Sequence, residues 1–173
     1  GGSSDGAFTL KLLNNIFKLE LGTNQLAEYA LLLGSDCSFF IYDKPMLGSG
    51  RGEHLESIDL TLAGKHIVVI KPDVNVSTSE AYQEIKPKES GPSLRNILEK
   101  SNDNHWQAII TNDFETSVFS RYPAIEKIKN TLLAAGAQYA SMSGSGSAVF
   151  GLFDSAVDLR NEFKGMTYWS GLL

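Results

Sequence analysis

Apolar residues recur at Ala7, Leu10, Leu13 and Phe17, with Phe8, Leu12 and Ile16 widening the stripe. That spacing predicts an amphipathic helix at the head of the chain, running to about residue 19, with Ser4 or Asp5 capping its free amides. Thr23 can cap a second helix over residues 24–33, closed by Gly34 in a left-handed C-cap. Residues 38–43 (Ser-Phe-Phe-Ile-Tyr-Asp) read as a short strand, broken by Lys44-Pro45. Residues 46–53 hold Gly48, Gly50 and Gly52, and alternation resumes at Leu55, Ile58, Leu60 and Leu62.

Residues 65–71 (Lys-His-Ile-Val-Val-Ile-Lys) predict a strand apolar on both faces. Residues 77–80 place a capping box ahead of Ala81, Tyr82 and Ile85, and residues 86–92, with two prolines and a glycine, read as a loop. Helices are predicted over 93–100, 106–121 and 123–135, the last with proline in its first turn and Gly136 past its end. Residues 138–142 and 148–153 read as strands around a glycine-serine turn. Asp154 caps a predicted helix over 155–164, and 166–172 is a final strand.

From residue 65 onward the order is therefore strand, helices, strand, strand, helix, strand. That order suits an α+β sandwich, an antiparallel sheet with helices on one face. Residues 1–60 hold two helices and strand fragments, too little to close a core of their own. The chain divides on this reading into residues 1–60 and 61–173.

Composition narrows the partners. Of 173 residues 42% are apolar, enough for a real core, and Lys plus Arg number 15 against 20 Asp plus Glu, a net charge of −5. An acidic chain argues against a dedicated nucleic-acid or anionic-membrane binder, while leaving room for a local phosphate pocket. Cys37 is the single cysteine, so an intramolecular disulfide and a multi-cysteine zinc site are excluded. His54, His66 and His105 lack the i+3 or i+4 partners of a helical metal site. No apolar run approaches the ~20 residues needed to span a bilayer.

Three segments could carry chemistry. Gly1-Gly2-Ser3-Ser4-Asp5 heads the first helix, where free amides and the helix dipole favour a phosphate. It lacks the Gly-Lys-[Ser/Thr] of a Walker loop, and an ordinary cap or an expression scar is the plain alternative. Ser143-Gly144-Ser145-Gly146-Ser147 offers unencumbered amides and hydroxyls for an anion, or is a simple hairpin turn. Asp36, beside an apolar segment, is either a general base or a turn residue.

Taken together, these segments resemble the GHMP family of small-molecule kinases, which includes galactokinase, homoserine kinase and mevalonate kinase. Gly1-Gly2-Ser3-Ser4-Asp5-Gly6-Ala7 is similar to the end of that family's ATP loop. Gly34-Ser35-Asp36-Cys37-Ser38-Phe39-Phe40 resembles a segment whose Asp is the catalytic base, and Gly48-Ser49-Gly50-Arg51-Gly52-Glu53 resembles the glycine-rich stretch that follows it. Residues 74–82, Asn112-Asp113-Phe114-Glu115 and Met142-Ser143-Gly144-Ser145-Gly146-Ser147 match further segments in order, the last being the third glycine motif. Ser38 stands where the family usually has proline, and Gly6 where it usually has alanine.

The resemblance implies a two-domain fold, with residues 1–60 the later part of a ribosomal-protein-S5-like ATP-binding domain and residues 61–173 a ferredoxin-like α+β sandwich. It implies transfer of the ATP γ-phosphate, with Mg²⁺, to a small-molecule hydroxyl in the cytoplasm. The matched segments point to 4-diphosphocytidyl-2-C-methyl-D-erythritol of isoprenoid precursor synthesis as acceptor. Another GHMP acceptor, or a non-catalytic metabolite-binding role, is the alternative. By the same resemblance Asp36 is catalytic, Gly1, Gly2, Ser3, Ser4 and Asp5 hold ATP phosphates, and Gly144, Ser145, Gly146 and Thr78 contact substrate or phosphate. The metal ligands stay unassigned. Roughly 100 residues, an ordinary domain's worth, are expected to precede Gly1, and the chain alone is expected to be inactive.

Overall fold

A computed structural model describes residues 1–83, 85, 93–100 and 105–173, which form two compact units, Gly1–Leu60 and Thr61–Leu173. The predicted loop over 86–92 lies outside the described residues.

In the first unit, α1 (Gly2–Ile16), α2 (Thr23–Leu33) and α3 (Cys37–Tyr42) precede a hairpin of β1 (Met46–Ser49) and β2 (His54–Ser57). Its small core joins Ala7 of α1, Leu26, Ala27 and Ala30 of α2, and Cys37 and Ile41 of α3. Only part of the predicted stripe on α1 is inside: Ala7 is buried and Leu10 half-buried, whereas Phe8, Leu12, Leu13, Ile16 and Phe17 are exposed.

Several local expectations for this unit are corrected. Helix α1 starts earlier than Ser4 or Asp5 as caps would allow, with Gly1 at the N-cap, and it ends at Ile16 rather than residue 19. Lys18 and Glu20 adopt φ of 49° and 56°, conformations incompatible with helix. The Asn14 side chain then locks the turn, donating to Leu21 O and accepting from Leu21 N–H. Thr23 is the first residue of α2, not its cap; the cap is Gly22, whose N–H donates to Gln25 Oε1 at 3.0 Å. Gly34 follows α2 with φ 171°, extended rather than left-handed.

The largest revision concerns residues 38–43. They were expected as a strand and form α3, because the apolar run is too short for periodicity to separate the two states. Cys37 and Ile41, one helical turn apart, are both buried, and Asp43 at φ 53° ends the helix. The glycine-rich stretch supplies the turn of the β1–β2 hairpin, paired Gly48↔Leu55 and Ser49↔His54.

The second unit contains β3 (His66–Lys71), α4 (Thr78–Gln83), α5 (Leu94–Lys100), α6 (Trp106–Ile109), α7 (Glu115–Arg121), α8 (Pro123–Ala134), β4 (Tyr139–Met142), β5 (Val149–Phe153) and β6 (Thr167–Leu172). The four strands form one sheet in the order β4-β5-β3-β6, antiparallel at every junction, with Val68 of β3 opposite both Gly151 and Ser170. In that order β3 and β4, joined through helices, flank β5, and β5 and β6, joined through irregular backbone, flank β3, so the α+β expectation holds. Ile125, Ile128 and Leu132 of α8 pack with Val68, Ile70, Ala140, Met142, Val149 and Phe153 of the sheet. The 3.6-residue period of the helix and the two-residue period of the strands aim these faces at each other.

Two helices expected here differ. The stretch 106–121 is two helices, α6 and α7: Ile110 turns to extended backbone (φ −94°, ψ 114°), and Asn112 Oδ1 accepts the Phe114 N–H ahead of α7. Residues 155–164 form turns and irregular backbone rather than a helix, and Asp154, instead of capping one, pairs with Lys65. Phe163 is nonetheless buried in the main core, and the segment's turns are closed by Glu162 N–H to Leu159 O at 3.0 Å and Met166 N–H to Phe163 O at 3.1 Å.

Candidate active site

In the first unit a cavity of about 430 Å³ is lined by Gly1, Gly2, Ser3 and Ser4 at the start of α1, by Asp36 at the N-cap of α3, and by Gly52 in the hairpin turn. The predicted phosphate segment and the predicted base therefore share one concavity. The helix supplies unpaired N–H groups and the positive end of its dipole at the cavity wall. The Ser4 hydroxyl donates to Gly1 O at 2.7 Å, which ties the first turn together. Asp5 also lies in the first turn but is exposed and does not line the cavity.

Asp36 owes its place to α3: the turn after α2 ends on it, and Cys37 is drawn into the core immediately after. Its side chain makes no capping hydrogen bond among the described residues. The hairpin turn closes against it. At Gly52, φ is +103°, and a Cβ there would sit 2.5 Å from Asp36 Oδ1. Both the conformation and the approach demand glycine. Gly52→Ala is expected to destabilise the protein by about 1–3 kcal/mol and to displace the Asp36 carboxylate. Denaturant melting and the NMR shifts of Asp36 check this, and an unchanged midpoint together with unchanged shifts would refute it.

Glu53 organises the same turn. Its carboxylate accepts the Arg51 N–H, and hydrogen bonds from its own backbone and from Arg51 hold its pKa below the usual carboxylate value. The two departures from the family pattern are accommodated. Gly6 has room for alanine, since a Cβ there meets only Leu33 Cδ1 at 3.5 Å and Cys37 Sγ at 3.8 Å. Ser38 is buried within the first turn of α3, a position that also suits proline.

In the second unit the predicted residues Thr78 and Ser145 meet, their hydroxyl oxygens 3.2 Å apart. The loop 143–147 closes the β4–β5 hairpin through Ser143 N–H to Ala148 O at 2.8 Å and Gly146 N–H to Ser143 O at 3.0 Å. Gly144 and Gly146 take φ of 55° and 95°. Among the described residues no protein acceptor takes the Gly144 or Ser145 N–H, so these amides are free to meet a ligand.

Sequence reasoning assigned no role to Asn112 and Glu115, although both stood in a matched segment. Asn112 Nδ2 donates to Met142 O at 2.8 Å and to Gly144 O at 2.7 Å, while its Oδ1 accepts the Phe114 N–H at 3.0 Å. Buried Glu115 accepts the Met142 N–H at 2.8 Å and the Ser141 hydroxyl at 3.1 Å, and pairs with Lys129. The available signal was an acid set among apolar residues that the helix buries, which requires buried partners. Among the described residues no group of three or more His, Cys, Asp or Glu side chains could hold a metal ion, and no helix is long and apolar enough to cross a membrane.

Residues 88–166 match the family described as GHMP kinases C terminal. That stretch of the chain is a GHMP kinase C-terminal domain. The chain is 51% identical over 153 residues to a 4-diphosphocytidyl-2-C-methyl-D-erythritol kinase of Bacteroides fragilis, covering 88% of the chain and 56% of that protein. It is 43% identical over 175 residues to the protein of the same name from Parabacteroides distasonis, covering 100% of the chain and 64% of that protein. A crystal structure of 4-(cytidine 5'-diphospho)-2C-methyl-D-erythritol kinase superposes with a TM-score of 0.70 at 30% identity, over 88% of the chain and 55% of that structure. The chain thus spans less than two thirds of the length of these relatives.

Proposed function

We propose that the protein transfers the γ-phosphoryl group of ATP to the 2-hydroxyl of 4-diphosphocytidyl-2-C-methyl-D-erythritol, in the cytoplasm. The observation that carries this reading is the shared cavity: a carboxylate without a hydrogen-bond partner among the described residues, Asp36, lines the same concavity as the N-terminal turn of a 15-residue helix. The acceptor is taken from the relatives' names, at 51% and 43% identity.

Gly1, Gly2, Ser3 and Ser4 hold the nucleotide phosphates in this reading, through helix N–H groups and serine hydroxyls. Bound there, ATP supplies the phosphoryl group. Asp36 orients the acceptor hydroxyl and takes its proton. In the second unit, taken by itself, the free Gly144 and Ser145 amides suit a phosphate group, with Gly146 shaping the loop and Thr78 braced on Ser145 beside it. Phosphoryl transfer asks for little beyond such positioning and charge stabilisation. The described residues offer no cage for Mg²⁺, so an ion used here would be held chiefly by nucleotide phosphates.

A screen of phosphate acceptors tests the reading, with the purified protein carrying this chain, ATP and Mg²⁺. Turnover is expected with 4-diphosphocytidyl-2-C-methyl-D-erythritol and not with mevalonate or homoserine. Preference for either of the latter would replace the proposed acceptor.

A further inference from the structure

The segment 112–115 grips the glycine loop at its root. Both polar groups of the Met142 backbone end on it: the carbonyl on Asn112 Nδ2 and the N–H on Glu115 Oε1. Asn112 reaches past Ser143 to the Gly144 carbonyl as well. Its two amide protons and its carbonyl oxygen are thus all engaged, at 2.8, 2.7 and 3.0 Å. Few side chains can do this. Two donors on one nitrogen are needed for the two carbonyls, with an acceptor on the same planar group for Phe114 N–H. Holding the Gly144 carbonyl fixes the peptide plane that presents the Ser145 N–H, and holding the Met142 carbonyl fixes the plane before Ser143, so the Gly144 N–H plane, whose Ser143 carbonyl accepts Gly146 N–H at 3.0 Å, is anchored on both sides.

We propose that Asn112 is the positioning residue of the glycine loop, clamping two carbonyls so that the Gly144 and Ser145 amides form a preorganised phosphate-binding nest. The kinetic consequence rests on the phosphoryl-transfer reading above; the binding consequence does not. Asp113, next in the segment, is exposed and has no such contacts, which confines the role to Asn112 with Glu115 beneath it.

The discriminating variant is Asn112→Asp. It matches asparagine in shape and keeps the acceptor for Phe114 N–H, but loses both donors and sets a carboxylate against two carbonyl oxygens. Inorganic phosphate, titrated into ¹⁵N-labelled protein, is expected to shift the Gly144 and Ser145 amides. In Asn112→Asp that response should weaken about tenfold or more, with resonances elsewhere unchanged. The turnover number should fall about 10- to 100-fold, while KM for the acceptor moves little, as expected for a misplaced stabilising group.

Phosphate affinity and turnover within twofold of the unaltered protein would overturn the proposal. So would a loop that fails to respond to phosphate in the unaltered protein. If the unaltered protein transfers no phosphate to any acceptor, yet its loop binds phosphate in an Asn112-dependent way, the kinase reading fails and the clamp stands. Should the variant not fold, hydrogen exchange of the Asn112 Nδ2 protons in the unaltered protein decides: slow exchange supports the clamp, and exchange at the free-amide rate refutes it.

Discussion

Asp36→Asn is expected to lower turnover about 100- to 10,000-fold while nucleotide binding stays within a few-fold of the unaltered protein. The substitution keeps the shape of the side chain and so keeps its fit beside Gly52, where a single added carbon would sit 2.5 Å from Oδ1. It removes the negative charge to which the proposed function gives the hydroxyl proton. The helix amides at Gly2, Ser3 and Ser4 are untouched, and these carry the proposed phosphate contacts. Steady-state kinetics with ATP and acceptor, alongside a nucleotide titration, check both halves. Turnover near that of the unaltered protein would remove Asp36 from the role of base. Turnover and nucleotide affinity lost together would mean that Asp36 instead builds the nucleotide site.

Glu115→Ala is expected to cost about 3–5 kcal/mol of stability. Three partners lose their acceptor at once: the Met142 N–H, the Ser141 hydroxyl and the Lys129 ammonium. The Lys129 side chain is only 15% exposed, so its charge would be left largely desolvated. Lys129→Met should cost less, because Glu115 then retains two hydrogen-bond donors and the methionine fills the space of the lysine stem. Urea unfolding at constant m-value compares the two variants. A loss below about 1 kcal/mol for Glu115→Ala, or a greater loss for Lys129→Met, would show that the cluster does not hold the β4 edge.

The stability prediction and the proposed clamp share a root. Residues 112–115 lie where a continuous helix over 106–121 would otherwise run. The helix breaks at Ile110, which is extended, and Asn112 in the gap bonds Met142 O and Gly144 O, residues 30 and 32 positions further along the chain. Local pattern favoured helix throughout, and long-range hydrogen bonds to the glycine loop overrode it. Such an override at one polar residue, next to a ligand-ready loop, is where local and global preferences are expected to part.

Much of the second unit was legible in the sequence. The β-branched run at 66–71, the stripe Ile125, Ile128, Leu132 and the Pro123 and Gly136 boundaries each encode their state through periodicity and backbone restriction, which need no distant partner. The motif order was equally local, since glycines, serines and Asp36 keep their spacing whatever the fold. Residues 38–43 and 155–164 were not legible. The first is an apolar run too short for its period to speak, and the burial of Cys37 and Ile41 against α2 made it helical. The second has helix-compatible residues, but the unit holds it by burying Phe163 and by hydrogen-bonding Leu159 N–H to Tyr168, neither of which requires a helix.

By itself, then, the sequence determined the kinds of groups available: a glycine-serine helix start, one carboxylate in a glycine-flanked segment, and a second glycine loop between apolar strands. Only tertiary structure decided which of them work together. It set Asp36 in the cavity of the α1 N-terminus and closed Gly52 onto it, and it left Asp5 outside. It also joined Thr78 to Ser145 and put Asn112 under the loop. Spacing along a chain constrains neighbours within a turn or two, whereas contacts between residues tens of positions apart depend on how the cores pack.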